Sequence, residues 1–309
     1  MKRMTEGRKM WISVMAIFAV YALIFIVFDD YDRKFLQPFS EVSDWHLIVF
    51  SLVVMAGLAL LLLRYAHHMD ERISREQAEK ENRMRRELTQ NIAHELKTPV
   101  ASIMGFTETI LHNPDMADDM KKEFLERTHS QAQRLTSLLQ DISILNRMDY
   151  AADVLAKERV DVSLLFADIV KETSIAIENK HMTMKNCLPQ GIIVGGNPSL
   201  LYSVFRNLVD NAINYAGEGT TITVKAEERP DVWVFTFADN GAGIAEEHLA
   251  RIFERFYRID KGRSRSLGGT GLGLAIVKNA VVLHGGTISA QSGTGHGLRF
   301  DFTLKKRND

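Results

Sequence analysis

The sequence predicts a membrane-anchored α plus α/β protein: two transmembrane helices, a helical hairpin that dimerises into a four-helix bundle, and a C-terminal α/β sandwich. Three observations lead there. Two long uncharged runs lie near the N-terminus. A charge-rich stretch with apolar positions three or four apart follows. Beyond about Val160, strand-like alternation mixes with amphipathic helices and clusters of glycine.

The 309 residues leave room for one or two domains beyond such an anchor. The net charge is -1 with 25% charged residues, so no basic field marks nucleic acid as a direct partner. Cys187 is the single cysteine, which excludes an internal disulfide framework, and no CxxC or Cys/His cluster points to zinc.

The anchor comes first, over residues 1–65. WISVMAIFAVYALIFIVF, Trp11 to Phe28, is uncharged, and a second apolar run covers about 46–64. At 1.5 Å per residue each is about 25 to 27 Å long, near the ~30 Å hydrocarbon core. The polar DDYDRKF after the first run is no signal-peptide cleavage site, so both runs are expected to stay as spans. Lys2, Arg3, Arg8 and Lys9 precede the first span, and Arg64, Arg72 and Arg75 follow the second. The loop 29–44 between them is acidic. The positive-inside rule therefore puts both termini in the cytoplasm. A loop of 16 residues is too short for a folded sensor domain.

Residues 66–84 then read as one exposed, charge-laced helix without glycine or proline. From Leu88 the pattern sharpens into a hairpin over 85–150. Leu88, Ile92, Leu96, Val100, Ile103, Phe106 and Ile110 make one apolar stripe. Asn113-Pro114 marks the turn, and a second helix carries Phe124, Thr128, Gln131, Leu135, Leu138, Ile142, Leu145 and Met148 to about Tyr150. One such hairpin buries little surface, so a homodimer is expected to complete a four-helix bundle.

His94 lies off the stripe. Glu95 beside it can take a ring proton, and Thr98 shares its helix face four residues on. Pro99 offers no N–H to the Glu95 carbonyl and crowds it, which costs a helix about 3 kcal/mol and predicts a weak point beside the histidine. A candidate nucleophile, base and hinge thus fall within one turn.

The second domain, 159–309, opens with a helix at DVSLLFADIVKETSIAIENK, followed by strands MTMKNCLP and IIVGG. In the next helix, PSLLYSVFRNLVDNAINYA, the buried face is Leu201, Val204, Phe205, Leu208, Val209 and Ala212, while Asn207, Asn211 and Tyr215 step along another stripe. Asparagine is a poor helix-interior residue, so these two either lie on the surface or face a polar partner such as a Mg²⁺-bound phosphate. Strands TTITVKAEE and VWVFTFADN follow, the second ending in DNGAGI, where Asp239 abuts the flexible Gly241 and Gly243. IFERFYRIDKGRSRS carries Arg255, Arg258, Lys261, Arg263 and Arg265, a basic segment able to close over anionic phosphates or to remain a surface loop. Gly268, Gly269, Gly271 and Gly273 then lead into a helix N-terminus, a place that suits an anion, although neither a Walker loop nor a dinucleotide fingerprint is matched. Strands GTISAQS and GLRFDFTLK close the sheet.

Taken together, Arg85 to Lys305 resembles the bacterial membrane-bound sensor histidine kinases of two-component systems. HELKTP resembles their H box, NLVDNAINYA the N box, DNGAGI the first glycine box, IFERFYR the F box and GGTGLGLAIVK the second, in the family's order. The C-terminal half also resembles the wider ATPase group of gyrase, Hsp90 and MutL, which lacks an HELKTP hairpin. The resemblance implies a phosphotransfer hairpin followed by a Bergerat-type ATP-binding sandwich, with ATP and Mg²⁺ as cofactors. It implies His94 as phosphoacceptor, Glu95 as its base and Thr98 as the residue that positions water for dephosphorylating a response regulator. Asn211 would ligate Mg²⁺, with Asn207 beside the phosphates. Asp239 would read the adenine amine, Tyr215 would line its pocket, and Gly241 and Gly243 would let backbone approach it. Tyr257, Arg258, Gly269, Gly271 and Gly273 would lie at the nucleotide, Arg258 toward the phosphates. The implied partners are a second copy of the chain, a cytoplasmic response regulator and the cytoplasmic membrane.

Two departures stand out. Asn214 occupies the place where many relatives carry lysine, and the interval from Tyr65 to His94 is too short for the usual HAMP relay. Signal is then expected to pass from the second span straight through one helix. Two other readings share these features: a non-catalytic nucleotide-binding membrane scaffold, and an ATPase of the gyrase/Hsp90 type.

Overall fold

The computed structural model describes residues 43–150, 158–259, 269–292 and 297–307. The first expected span, the basic residues Lys261, Arg263 and Arg265, and Gly268 lie outside the described residues. Two compact units divide the chain, Met1–Met84 and Arg85–Asp309.

Helix α1, Ser43–His112, runs for 70 residues and continues through Pro99. The second expected span lies within it. Among the described residues one stretch, Ser51–Glu79, is long and apolar enough to cross a membrane, and none of its most apolar window is buried inside the protein. The α1 stripe is half-buried within this one chain except at Val100. Pro99, not Val100, points inward: Pro99 is buried while Val100 is 42% exposed. The two residues are about 100° apart on the helix, and only one can face the second helix. The proline thus serves packing as well as interrupting the helix hydrogen-bond ladder.

The Asn113–Ala117 turn is tied by Met116 N to Asn113 O at 3.1 Å and by Asn113 Nδ2 to Thr109 O at 2.7 Å. Helix α2, Asp118–Tyr150, follows, with Asp118 and Asp119 set favourably in its first turn. Phe106 and Phe124 meet across the hairpin with ring centroids 5.7 Å apart. At the far end of α2, Leu138, Leu145 and Met148 are buried in the same core as the α/β domain.

That domain begins with a short strand that the sequence reading missed, β1, Glu158–Asp161, because four residues running into a helix show no alternation. Asp161 caps helix α3, Val162–Asn179, accepting from Ser163 N and Leu164 N. After β2, Thr183–Cys187, and β3, Ile193–Gly196, helix α4 covers Pro198–Tyr215, with Asn197 as its cap and Pro198 in its first turn. Strands β4, Thr221–Glu228, and β5, Val232–Asp239, lead to the one-turn α5, Glu246–Leu249, then α6, Gly273–Leu283, β6, Ile288–Ser292, and β7, Leu298–Lys305. The main sheet has the order β2-β4-β5-β7-β6, antiparallel except for the β2–β4 pair, while β1 and β3 form a separate antiparallel pair. The six residues expected on the buried face of α4 are all buried. Phe205 of α4 packs its edge on Phe166, Phe235 and Phe302, joining α3, α4 and the sheet.

A buried histidine locks the entry to α4. His284 Nε2 accepts from Asn197 N at 3.0 Å and its Nδ1 lies 2.6 Å from Ala280 O, a pairing that a neutral ring with the proton on Nδ1 satisfies. Gly196 lies flat on that ring: a Cβ there would meet His284 Cδ2 at 2.5 Å and Leu201 Cδ1 at 2.8 Å. Gly196→Ala is therefore expected to destabilise the domain by about 1–3 kcal/mol through overpacking. His284→Phe should cost a similar amount by stranding the Asn197 N–H. Urea unfolding of both variants checks this.

Candidate active site

His94 stands exposed on α1. Its Nδ1 is 3.9 Å from Glu95 Oε1, beyond hydrogen-bond reach, since neighbouring helix positions point about 100° apart. The other oxygen of Glu95 is occupied. Oε2 accepts from Arg134 Nη2 of α2 and from Arg258 Nη2 of the α/β domain, each at 3.2 Å. Both guanidinium side chains are nearly covered, at 10% and 7% exposure, with Glu95 at 15% and His94 at 67%. Thr98 Oγ1 donates back to His94 O at 3.3 Å.

On α4, Asn207 donates from Nδ2 to Ser203 O at 2.7 Å, and its Oδ1 lies 2.5 Å from where a Cβ on Gly273 would sit. Only glycine lets the N-terminus of α6 come this close to the asparagine. Asn211, one turn on, is half-buried, and its side chain makes no hydrogen bond among the described residues. Tyr215 is 41% exposed at the end of the same stripe.

Asp239 ends β5 and turns its Oδ1 to Gly241 N at 2.9 Å and Leu298 N at 3.3 Å. Burial raises its pKa above the ordinary 3.8, and the two backbone bonds oppose that rise without cancelling it. Gly241 is pressed on the end of α4, where a Cβ would lie 2.2 Å from Ala216 O. Gly243 takes φ +69 in the same turn.

The F-box segment and the second glycine cluster meet. Phe256 holds the left-handed value φ +63, and its N–H donates to Gly271 O at 2.8 Å. Arg258 also donates to Gly269 O. Tyr257 OH pairs with His248 Nδ1 at 2.8 Å under the Arg251 guanidinium. Neighbouring groups reach the hairpin: Arg255 makes two bonds to Asp149, at 2.9 and 2.8 Å, and Thr270 Oγ1 donates to Asp141 at 2.7 Å. Burial, foremost, and the nearby Asp210 charge raise the pKa of Asp141, while the Thr270 hydroxyl opposes them.

The structure thus brings Arg258 to the H box, Asn207 to Gly273, and Asp239 to Gly241. It leaves Tyr215 exposed. Sequence reasoning missed Arg134, Asp141, Asp149 and Thr270, whose partners lie tens of residues away and carry no local signal.

Comparison with known proteins follows the same division. Residues 84–151 match the His Kinase A (phospho-acceptor) domain, and residues 196–308 match the histidine kinase-, DNA gyrase B- and HSP90-like ATPase family. Sensor-like histidine kinase SenX3 of Mycolicibacterium smegmatis is 35% identical over 225 residues, covering 73% of this chain and 58% of SenX3. The chain belongs to the sensor histidine kinases. Sensor histidine kinase WalK of Bacillus subtilis is 30% identical over 233 residues, covering 75% of this kinase-family chain and 38% of WalK. The chain therefore spans less than two thirds of these relatives' length. Histidine kinase ThkA, solved in complex with response regulator protein TrrA, shares the fold with a TM-score of 0.58 at 23% identity, over 72% of this chain and 61% of ThkA.

The Asp239 carboxylate has a stability consequence. With its pKa raised, its contribution to stability is present below 3.8 and is lost as pH rises through the folded-state value. At neutral pH the ionised group opposes folding. Asp239→Asn keeps an oxygen for Gly241 and Leu298 without that charge, so its thermal midpoint near about pH 7 should exceed that of the wild type. Calorimetry across the acid range should also show a smaller gain on acidification.

Proposed function

We propose that this chain is a membrane-anchored, ATP-dependent protein-histidine kinase that phosphorylates His94 and passes the phosphoryl group to an aspartate of a cytoplasmic response regulator. The observation that carries the reading is the meeting of the two halves: an arginine at the root of the basic segment reaches the carboxylate beside an exposed histidine. A scaffold that only bound nucleotide has no use for that contact.

In this reading ATP lies between α4 and the N-terminus of α6. Asp239 reads the adenine amine in the Gly241–Gly243 turn, with Tyr215 at the pocket rim and Tyr257 beside the nucleotide. The donor set fits a phosphate-bound Mg²⁺. Asn211 offers an unengaged amide oxygen, and no group of three or more His, Cys, Asp or Glu among the described residues could hold a bare metal. Mg²⁺, when bound, neutralises charge on the transferring phosphates. Asn207 and the Gly269–Gly273 backbone stand beside those phosphates. His94 Nε2 attacks the γ-phosphorus, the bond to the bridging oxygen of ADP breaks, and Glu95 holds the proton on Nδ1. For this, Arg258 leaves Glu95 for the phosphates. The same His94 then gives its phosphoryl group to the regulator, and Thr98 orients water when the regulator is dephosphorylated. The half-buried hairpin stripe suits a homodimer. The apolar part of α1, with the run at 11–28, suits a multi-pass protein of the cytoplasmic membrane with both termini cytoplasmic.

Full-length chain in detergent micelles, given γ-labelled ATP and Mg²⁺, should take up acid-labile label that His94→Ala abolishes. No label on the wild type, or equal label on the variant, overturns the kinase reading. Thr98→Ala is expected to keep autophosphorylation within about threefold while dephosphorylation of the labelled regulator falls by about tenfold or more, as loss of a water-positioning group implies.

A further inference from the structure

We propose that Arg134 is a positioning residue for phosphoryl transfer to His94: it pins one oxygen of Glu95 so that the other stays turned to the imidazole. This rests on the kinase reading above. The two oxygens of Glu95 are already divided in the structure. Oε2 takes Arg134 and Arg258, and Oε1 is the atom on the His94 side.

The two arginines differ in what carries them. Arg134 is on α2 and belongs to the same hairpin as His94, whereas Arg258 arrives with the α/β domain and has a second duty at the phosphates. Once Arg258 leaves, the bond from Arg134 to Oε2 is kept within the hairpin itself. A glutamate ordinarily has a freely turning carboxylate with two equivalent oxygens. One fixed guanidinium donor removes that equivalence and holds Oε1 where an exposed ring can turn onto it. The burial of Arg134 supports a built contact, because covering a guanidinium to 10% exposure is costly unless it is paired. Glu95 also lies just before the stretch where Pro99 withholds a helix N–H, so its placement owes less to the helix ladder than that of most helix residues.

The test measures autophosphorylation of the full-length chain in micelles. Arg134→Gln should lower kcat between about tenfold and a hundredfold, with the KM for ATP within about twofold, as misplacement of a catalytic group does. Arg134→Lys should recover most of the loss. In the Glu95→Gln background, Arg134→Gln should add nothing. Equal losses in both backgrounds, a wild-type rate, or a change confined to KM overturns the inference. Arg134→Met, which keeps the buried stem, replaces the Gln variant if that protein shows no cooperative melt. Histidine nitrogen NMR, with His94 assigned by difference from His94→Ala, needs no turnover. With Arg258→Gln also present, so that Arg258 no longer holds Oε2, it should show the Nδ1–H tautomer when Arg134 is intact and a shift toward Nε2–H in Arg134→Gln; identical spectra overturn the inference even if the wild type takes no label and the kinase reading falls.

Discussion

The carboxylate of Glu95 is the point on which the rest of this molecule turns. It is half-buried beside an exposed histidine, and its Oε2 is shared by arginines from two different parts of the chain. A carboxylate taken so far from water is costly unless it is paired, and removing one partner from such a pair costs more than the pair contributes. Two cations on one oxygen resolve this in a way that leaves one cation exchangeable. With Arg258 away, the bond from Arg134 within the hairpin would still pair Glu95.

The other contacts between α2, α6 and the basic segment follow the same logic of reversibility. Arg255 with Asp149 is a forked pair with appreciable exposure, worth little once screened by solvent. Thr270 with Asp141 is more covered, and burial raises the Asp141 pKa above its ordinary value. Phe256 holds a left-handed backbone, strained for a residue other than glycine, and bonds to Gly271. Among the described residues of α2, Leu138, Leu145 and Met148 are buried. The seam combines one partly exposed ion pair, one covered ion pair, one covered hydroxyl bond and three buried apolar side chains, and its polar bonds can re-form elsewhere at small net cost.

Much of this was legible in the residues. The apolar face of α4, the strands of the main sheet and the hairpin turn follow from periodicity and from Asn113-Pro114. His94, Asn211 and Asp239 are proposed as a set on the strength of the five ordered motifs. β1 was not, because ERVD is too short to alternate. The inward-facing Pro99 was not legible either, for a different reason. A stripe at 3.6 spacing leaves two neighbouring positions near its edge, and only packing against α2 selected Pro99.

The sequence by itself determined which side chains this protein has for chemistry and on which kinds of element they sit, since periodicity, capping residues and glycine clusters are local properties of the chain. The tertiary structure alone decided which charges meet. Arg134 and Glu95 are 39 residues apart and Arg258 and Glu95 are 163 apart, so no local pattern links them. An ion pair is chosen by distance and burial in three dimensions. That choice made Arg258 a partner of Glu95 in this conformation and brought Arg134, an unremarked residue of the second helix, into the site.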